Sequence, residues 1–545
     1  MRKLTSGVWL LVLLFAVSAV HAQKFDERFN DWPVELKING RLVLCCGDYE
    51  PAMLADLFDN QRRVRICLIE KAKAELAGSL AAALVPVSSS VTITRHEKDD
   101  KTKIETDDCE TLILVSGEED EERATKLVRE SADLLRKFVD GGGTLAVDGR
   151  IVPLLGKAVL NGDDNVDGIG LVPDALIHVD SAESDSVAVD WNSALTARPR
   201  SVGMQLESGT TLLFSGRNML VMGDGAATFH LPSSEFLPAR TQTIRKSSGR
   251  RQAPEDFVVD WTEWRRDSIE RTLDQFPPAV PEEPFVKNGT LMIIGGGGMP
   301  GGMMEEFVEA AGGEQARLVY VPCSESDDVS GEQGMLRAWE QMGVASATMI
   351  HTKDRNKANT DEEFLAPLKD ATGIMFGGGR QWNFSDSYYG TKAHELMKGV
   401  LERGGVIIGS SAGASIQARY LARATPIGNF RIMAPGYERG GLGFIGGVAI
   451  DQHFSQRGRQ KDMTELVHKY PQLLGIGLDE ATAIVVQKSK AEIVGRGKVY
   501  FYDCNQPVVE GQPDYTALPN GSFYDLAERK VLVDSSKPDA LTKDQ

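Results

Sequence analysis

Short apolar runs that close on glycine alternate along this chain with stretches whose apolar positions recur every three or four residues. The first kind reads as buried strand and the second as amphipathic helix, so their alternation predicts parallel β-α-β units under helical layers. The pattern occurs twice. Leu42-Val43-Leu44-Cys45-Cys46-Gly47 is matched in character by Leu291-Met292-Ile293-Ile294-Gly295-Gly296, residues 64–69 by 317–321, 112–117 by 373–378, and 144–147 by 406–409. A helix precedes the last strand of each set. Its apolar face carries Leu127, Leu134, Leu135, Phe138 and Val139 in the first copy and Ala393, Leu396, Met397, Val400 and Leu401 in the second. Both helices end on glycines suited to a C-cap, at 141–143 and 404–405, and farther on residues 202–207 parallel 475–480. The prediction is an α/β protein of two tandem three-layer domains with mostly parallel sheets, at 38–235 and 286–545. Residues 236–285 read as a linker: a basic solvated loop over 240–251, a helix over 255–276 and a stiff proline-rich spacer over 277–284.

Composition narrows the function classes. With 60 Lys+Arg against 78 Asp+Glu the net charge is −18, so no nucleic-acid partner is expected. Arg2 and Lys3 precede an apolar run over 8–20 and a polar stretch from Gln23, which reads as a cleavable signal peptide at 1–22. The run is too short to span a bilayer, which needs about 20 residues. The mature protein is expected to be secreted or periplasmic and free of the membrane; a homodimer stays open. Six scattered cysteines without a CxxC pair suggest neither zinc nor redox work, and most read as small buried apolar side chains.

The sharpest chemical signal is Gly409-Ser410-Ser411-Ala412-Gly413, a G-x-S-x-G turn between the apolar run 406–409 and a helical stretch expected through Ile416 and Leu421. Small neighbours permit a tight reversal that would present Ser411 at its tip, with the Ala412 N–H facing a developing oxyanion. The glycine turn 377–379 is a source for a second donor. A serine that merely caps the helix is the competing reading. Of His351, His394, His453 and His468, the second and fourth lie on expected helices and read as surface residues. His453 stands in a dense polar cluster, Asp451-Gln452-His453-Phe454-Ser455-Gln456-Arg457-Gly458-Arg459, at the exit of an apolar strand. Asp479, Glu480 and Asp451 are each candidates to orient such a base.

Together with Gly378-Gly379-Arg380-Gln381 and Gly477-Leu478-Asp479-Glu480-Ala481-Thr482-Ala483, these motifs resemble the cyanophycinase family of serine peptidases, relatives of peptidase E, over residues 289–503. The resemblance implies a flavodoxin-like fold akin to class I glutamine amidotransferases. It assigns Ser411 as nucleophile, His453 as general base and Glu480 as the residue orienting the histidine; the oxyanion donors expected from the turn geometry are Ala412 and, from the glycine turn, Gly379. Gln381, Asp451, Gln452, Arg457 and Arg459 match positions in or beside the family's substrate pocket. The implied reaction is hydrolysis of an aspartyl or isoaspartyl bond in a peptide or polyamide substrate, such as cyanophycin to β-Asp-Arg, by an acyl-enzyme route that requires neither metal nor cofactor. Arg380 and Asp462 depart from the family's pattern, the first reversing the charge usual before the pocket glutamine. In the N-terminal copy the same alignment sets Gly149 opposite Ser411, Asp180 opposite His453 and Glu207 opposite Glu480, so that copy reads as degenerate.

Two other readings compete. Gly296-Gly297-Gly298-Met299-Pro300-Gly301 satisfies G-x-G-x-x-G, but no acid stands at Val321-Pro322-Cys323 to meet a ribose, so the glycines are explained by a tight turn. A non-catalytic extracytoplasmic binding protein is the alternative to an enzyme. Serine, histidine and carboxylate kept together in one half argue against it, and acylation by a fluorophosphonate probe separates the two.

Overall fold

The computed structural model describes residue 32 and segments 40–47, 51–57, 63–69, 74–95, 104–116, 121–160, 166–180, 189–245, 258–426, 431–507 and 509–532. The signal peptide expected at 1–22 lies outside them. The protein is a mixed α/β structure with two sheets in each half.

In the C-terminal half the larger sheet has nine strands, ordered Ser346–Met349, Arg317–Val321, Gly373–Phe376, Val406–Ser410, Val286–Ile294, Thr482–Lys488, Lys490–Gly495, Phe523–Asp525 and Lys530–Leu532. The first five run parallel and the rest join antiparallel. The inner parallel strands are buried almost throughout, which is why they appear in the sequence as unbroken apolar runs. Helices such as Lys392–Glu402 cover them, with Ala393, Met397 and Val400 in the core. The smaller sheet holds Ala418–Tyr420, Ile445–Asp451, Leu474–Leu478, Lys498–Tyr502 and Thr516–Pro519.

The N-terminal half repeats this order. Its larger sheet runs Ser90–Arg95, Arg63–Leu68, Thr111–Val115, Thr144–Asp148, Arg41–Cys46, Thr210–Ser215, Asn218–Gly223 and Val258–Asp260, again five parallel strands followed by antiparallel ones. A second sheet includes Ala175–Val179, Val202–Leu206, Ala226–Leu231 and Arg240–Arg245. Residues 240–245 are therefore an edge strand rather than a solvated loop. Only Ile244 turns fully inward, and such a polar, charged edge hides its strand character in the sequence. Residues 258–260 complete the larger sheet, and the helix expected over 255–276 is confined to Trp261–Glu270, capped by the Asp260 carboxylate on the Thr262 and Glu263 N–H groups.

That helix joins the halves. Arg266 makes an ion pair with Asp386 at 2.7 Å, Arg217 reaches both Asp260 and Asp386 at 2.9 Å, and Glu270 pairs with Arg439 at 3.2 Å. All six side chains are nearly withdrawn from water, and the Arg217 guanidinium also donates to the Tyr437 hydroxyl.

Candidate active site

Strand Val406–Ser410 runs between Gly373–Phe376 and Val286–Ile294, so its C-terminal end opens at the edge where parallel sheets gather ligands. There the chain bends at Ser411, whose φ of 56° and ψ of −113° are strained for a residue with a side chain. The Ser411 N–H donates to the Ile294 carbonyl at 3.0 Å and its own carbonyl accepts from Ala414 at 2.9 Å, which holds the bend. The following helix is short, Ala412–Ser415, and Gln417 already crosses toward the smaller sheet, where 418–420 form a strand instead of the expected helical continuation.

His453 comes from the smaller sheet, just past Ile445–Asp451, with φ of 50° and its N–H on the Gly295 carbonyl at 2.8 Å. Its Nε2 lies 2.9 Å from the Ser411 Oγ, and its Nδ1 lies 2.6 Å from Oε1 of Glu480, at the exit of Leu474–Leu478. Of the three carboxylates considered, Glu480 alone reaches the imidazole. Asp479 accepts from the backbone N–H groups of Ser455 and Lys498, both at 3.0 Å, and so ties the histidine loop to the next strand. Asp451 is fully buried, held by Arg423 at 2.8 Å and Arg459 at 2.9 Å. Burial pulls the His453 imidazole below its ordinary value; the Glu480 hydrogen bond opposes this, and Arg457 and Arg459 add to it. The ring is therefore neutral at pH 7, with Nδ1 donating to Glu480 and Nε2 left to accept from serine.

Gly378 runs alongside the serine: a Cβ built on it would stand 3.6 Å from that of Ser411. Gly379 follows, packed on Cys323, whose thiol donates to the Arg380 carbonyl at 3.0 Å. Among the described residues, the N–H groups of Ala412 and Gly379 have no acceptor.

The residues matched to a substrate pocket separate into two groups. Gln381 is buried and donates to the Ala422 and Arg423 carbonyls at 2.9 and 2.7 Å. Arg459 donates to Asp451 and to the Gln452 carbonyl, and Gln452 is buried with them. Asp451, Gln452 and Arg459 are bonded to one another beside His453 in the chain, and Arg423 links them to Gln381. Arg457 is exposed on the turn Ser455–Arg457. The two departures have internal partners as well: Arg380 donates to the Thr425 and Pro426 carbonyls at 3.0 Å, and Asp462 accepts from Arg423 at 2.8 Å. His394 is buried rather than on the surface, with its Nε2 on the Leu442 carbonyl at 2.7 Å, whereas His468 is exposed.

Sequence reasoning missed the role of the glycine run 295–298. A Cβ on Gly296 would fall 2.4 Å from the His453 ring, and one on Gly297 2.4 Å from the Glu480 carboxyl carbon; both glycines have positive φ. The run that read as a generic tight turn is the bed on which imidazole and carboxylate lie. Its signal was present, four glycines after the first strand, but without the fold nothing tied them to residues 150 or more positions away. Gln456, whose side chain accepts from the Glu480 N–H at 3.0 Å, stood in the polar cluster around His453 without a role assigned to it.

A serine on a strained strand-to-helix bend, joined through histidine to a carboxylate, has the arrangement of a serine hydrolase. The model of peptidase family S51 matches residues 291–494, which contain all three groups. A cyanophycinase of Geminocystis herdmanii is 27% identical over 203 residues, 37% of this chain and 74% of that protein. One of Trichormus variabilis is 26% identical over 251 residues, 42% and 82% of the two chains. Solved structures that align with it include a peptidase from an acI-B1 Actinobacterium, 20% identical with a TM-score of 0.31 over 44% of this chain and 97% of that one. A putative peptidase E from Listeria monocytogenes EGD-e is 18% identical, with a TM-score of 0.28 over 38% and 99%. Residues 291–494 thus resemble peptidase family S51, and the protein is a serine-type peptidase.

Proposed function

We propose that the protein hydrolyses an aspartyl or isoaspartyl peptide bond through Ser411, His453 and Glu480, with cyanophycin among the candidate substrates. The observation that carries this is the continuous chain of hydrogen bonds from Ser411 Oγ through His453 to Glu480, 2.9 and 2.6 Å long. His453 Nε2 takes the serine proton as Oγ attacks the carbonyl carbon, and the Glu480 carboxylate stabilises the imidazolium that forms. Charge collects on the former carbonyl oxygen, and the Ala412 and Gly379 N–H groups are its donors. His453 then returns the proton to the departing amine, and a water activated at the same nitrogen releases the acyl group. Arg457, the exposed cation beside the histidine, faces an acidic group of the substrate. The cyanophycin assignment draws on relatives of that name at 26–27% identity.

The same proposal extends to the whole chain. The halves are tandem flavodoxin-like copies, the first without catalytic groups, and the protein is exported after cleavage of residues 1–22. Incubating the mature protein with cyanophycin and with Asp-X and β-Asp-X peptides, followed by mass spectrometry of the products, tests the reaction. Release of β-Asp-Arg or of an aspartyl product by the wild type and not by Ser411→Ala supports it; an intact peptide set with cleavage of unrelated bonds overturns the substrate class.

A further inference from the structure

A cavity of about 190 Å³ lies between the segment that joins the halves and the smaller C-terminal sheet. Phe276, Pro278 and Pro281 form one wall, Arg419 and Tyr420 another, and Gly447 the floor. The floor is at the opposite end of the sheet from the serine, for Asp451 stands four residues beyond Gly447 along the same strand, about 13 Å away.

Arg419 is the unusual residue of this cavity. Its Nη1 donates to the Arg439 carbonyl at 2.8 Å and to the Tyr389 hydroxyl at 3.3 Å, both neutral acceptors. Among the described residues no carboxylate forms an ion pair with it, and its Nε and Nη2 have no acceptor; the neighbouring Arg439 has Glu270. Glu282, on the rim, is exposed; it and Glu270 act on the guanidinium only from beyond ion-pair distance, and neither hydrogen-bonds to it. A guanidinium drawn from bulk water needs a counter-charge, and a free Nε–Nη2 edge is the fork that accepts a carboxylate through two parallel hydrogen bonds. The aromatic groups fit a ligand body. The Phe276 ring lies 5.2 Å from the Arg419 guanidinium and is parallel to Tyr420, with centroids 6.1 Å apart.

We propose that this cavity is a second binding site, separate from the serine centre, for a small carboxylate with an aromatic or apolar body. The carboxylate lies on the open edge of Arg419 and the body against Phe276 and the proline wall.

The test uses the full chain as wild type and as Ser411→Ala, titrated calorimetrically with benzoate and with benzamide, its neutral counterpart. Benzoate should bind both proteins equally, and benzamide should bind more weakly by on the order of tenfold or more. Arg419→Gln should weaken benzoate by a similar factor. In the wild type, bound benzoate should slow amide exchange in 275–282 and 445–447, a readout that stands even if the Arg419 variant does not fold. Equal binding of benzoate and benzamide, no benzoate binding, or protection confined to the surroundings of Ser411 would overturn the proposal.

Discussion

The imidazole of His453 has its place because residue 296 carries no side chain. Gly296→Ala would set a methyl group 2.4 Å from the ring at a φ of 92°, where L residues are strained in any case. Displacing a base by a fraction of an ångström lengthens the Oγ–Nε2 contact. The expected result is a kcat lower by on the order of 100-fold with KM little changed, measured on the most active peptide. Ser411→Ala should remove on the order of 10⁴-fold or more and abolish labelling by fluorophosphonate. The protonation of His453 gives a third expectation. Because burial lowers its pKa from the ordinary 6.5, the acid limb of kcat/KM should fall below that pH. Glu480 acts in the opposite direction, so Glu480→Gln should lower kcat and carry the limb to still lower pH. A limb that rises in that variant would contradict the hydrogen-bonded pair.

Elements buried on both faces were legible in the sequence, because a parallel strand has no polar alternation to confuse its reading; Leu291-Met292-Ile293-Ile294 and Val406-Ile407-Ile408 are examples. What stayed hidden depends on contacts between distant segments. Arg240–Arg245 has a polar edge pattern and becomes a strand only because Ala226–Leu231 is there to pair with it. Of the candidate site, the serine bend and the histidine were visible from their local settings. The choice of Glu480 over Asp479 and Asp451 rested on resemblance, since all three follow apolar strands and only their partners in space distinguish them. His394 shows the same limit within helix Lys392–Glu402. Its helical position suggested a surface residue, yet it is buried, accepting from the Gly390 N–H at 3.2 Å and bonded to Leu442. Burial first, then Lys398, pulls its pKa to about 3. The unfolded chain takes up a proton near pH 6.5 that the folded state refuses until about pH 3, so stability is complete above the first value and falls as pH drops toward the second. Between pH 7 and 5 this amounts to about 2 kcal/mol. Chemical denaturation at the two pH values should show a smaller loss in His394→Gln than in the wild type.

At the scale of the whole molecule, the repeated strand order allows a position-by-position comparison of the two halves. Registers place Thr210 with Thr482 and Leu206 with Leu478, so Glu207 falls opposite Asp479, one place from the alignment made on sequence alone. The bonds agree. The Glu207 carboxylate accepts from the Ala226 N–H as Asp479 accepts from Lys498, which leaves Ser208 opposite Glu480. The first half thus has a carboxylate that ties loop to strand, while Gly149, Asp180 and Ser208 stand opposite the serine, the histidine and Glu480. Gly149 retains a positive φ of 84° at the position of the serine bend, a backbone shape without its hydroxyl. The two halves meet at Asp386, which pairs with Arg217 and Arg266. Burial alone would raise that carboxyl, but Arg266 and Arg217 hold it below the ordinary range; burial in turn brings Arg266 down to about 10. Asp386→Asn removes the carboxylate that Arg266 and Arg217 share, while Arg217 keeps Asp260. Losing one partner of a buried pair costs about 3–5 kcal/mol. Helix Trp382–Tyr388, which carries Asp386, follows directly on Gly379 and Gln381, so the same substitution should also loosen the oxyanion loop. The wild type should therefore unfold in one transition that includes both halves. Asp386→Asn should lower its midpoint, separate it into two steps in calorimetry, and reduce kcat at temperatures where the protein is still folded. Two independent transitions in the wild type would mean that the halves merely touch.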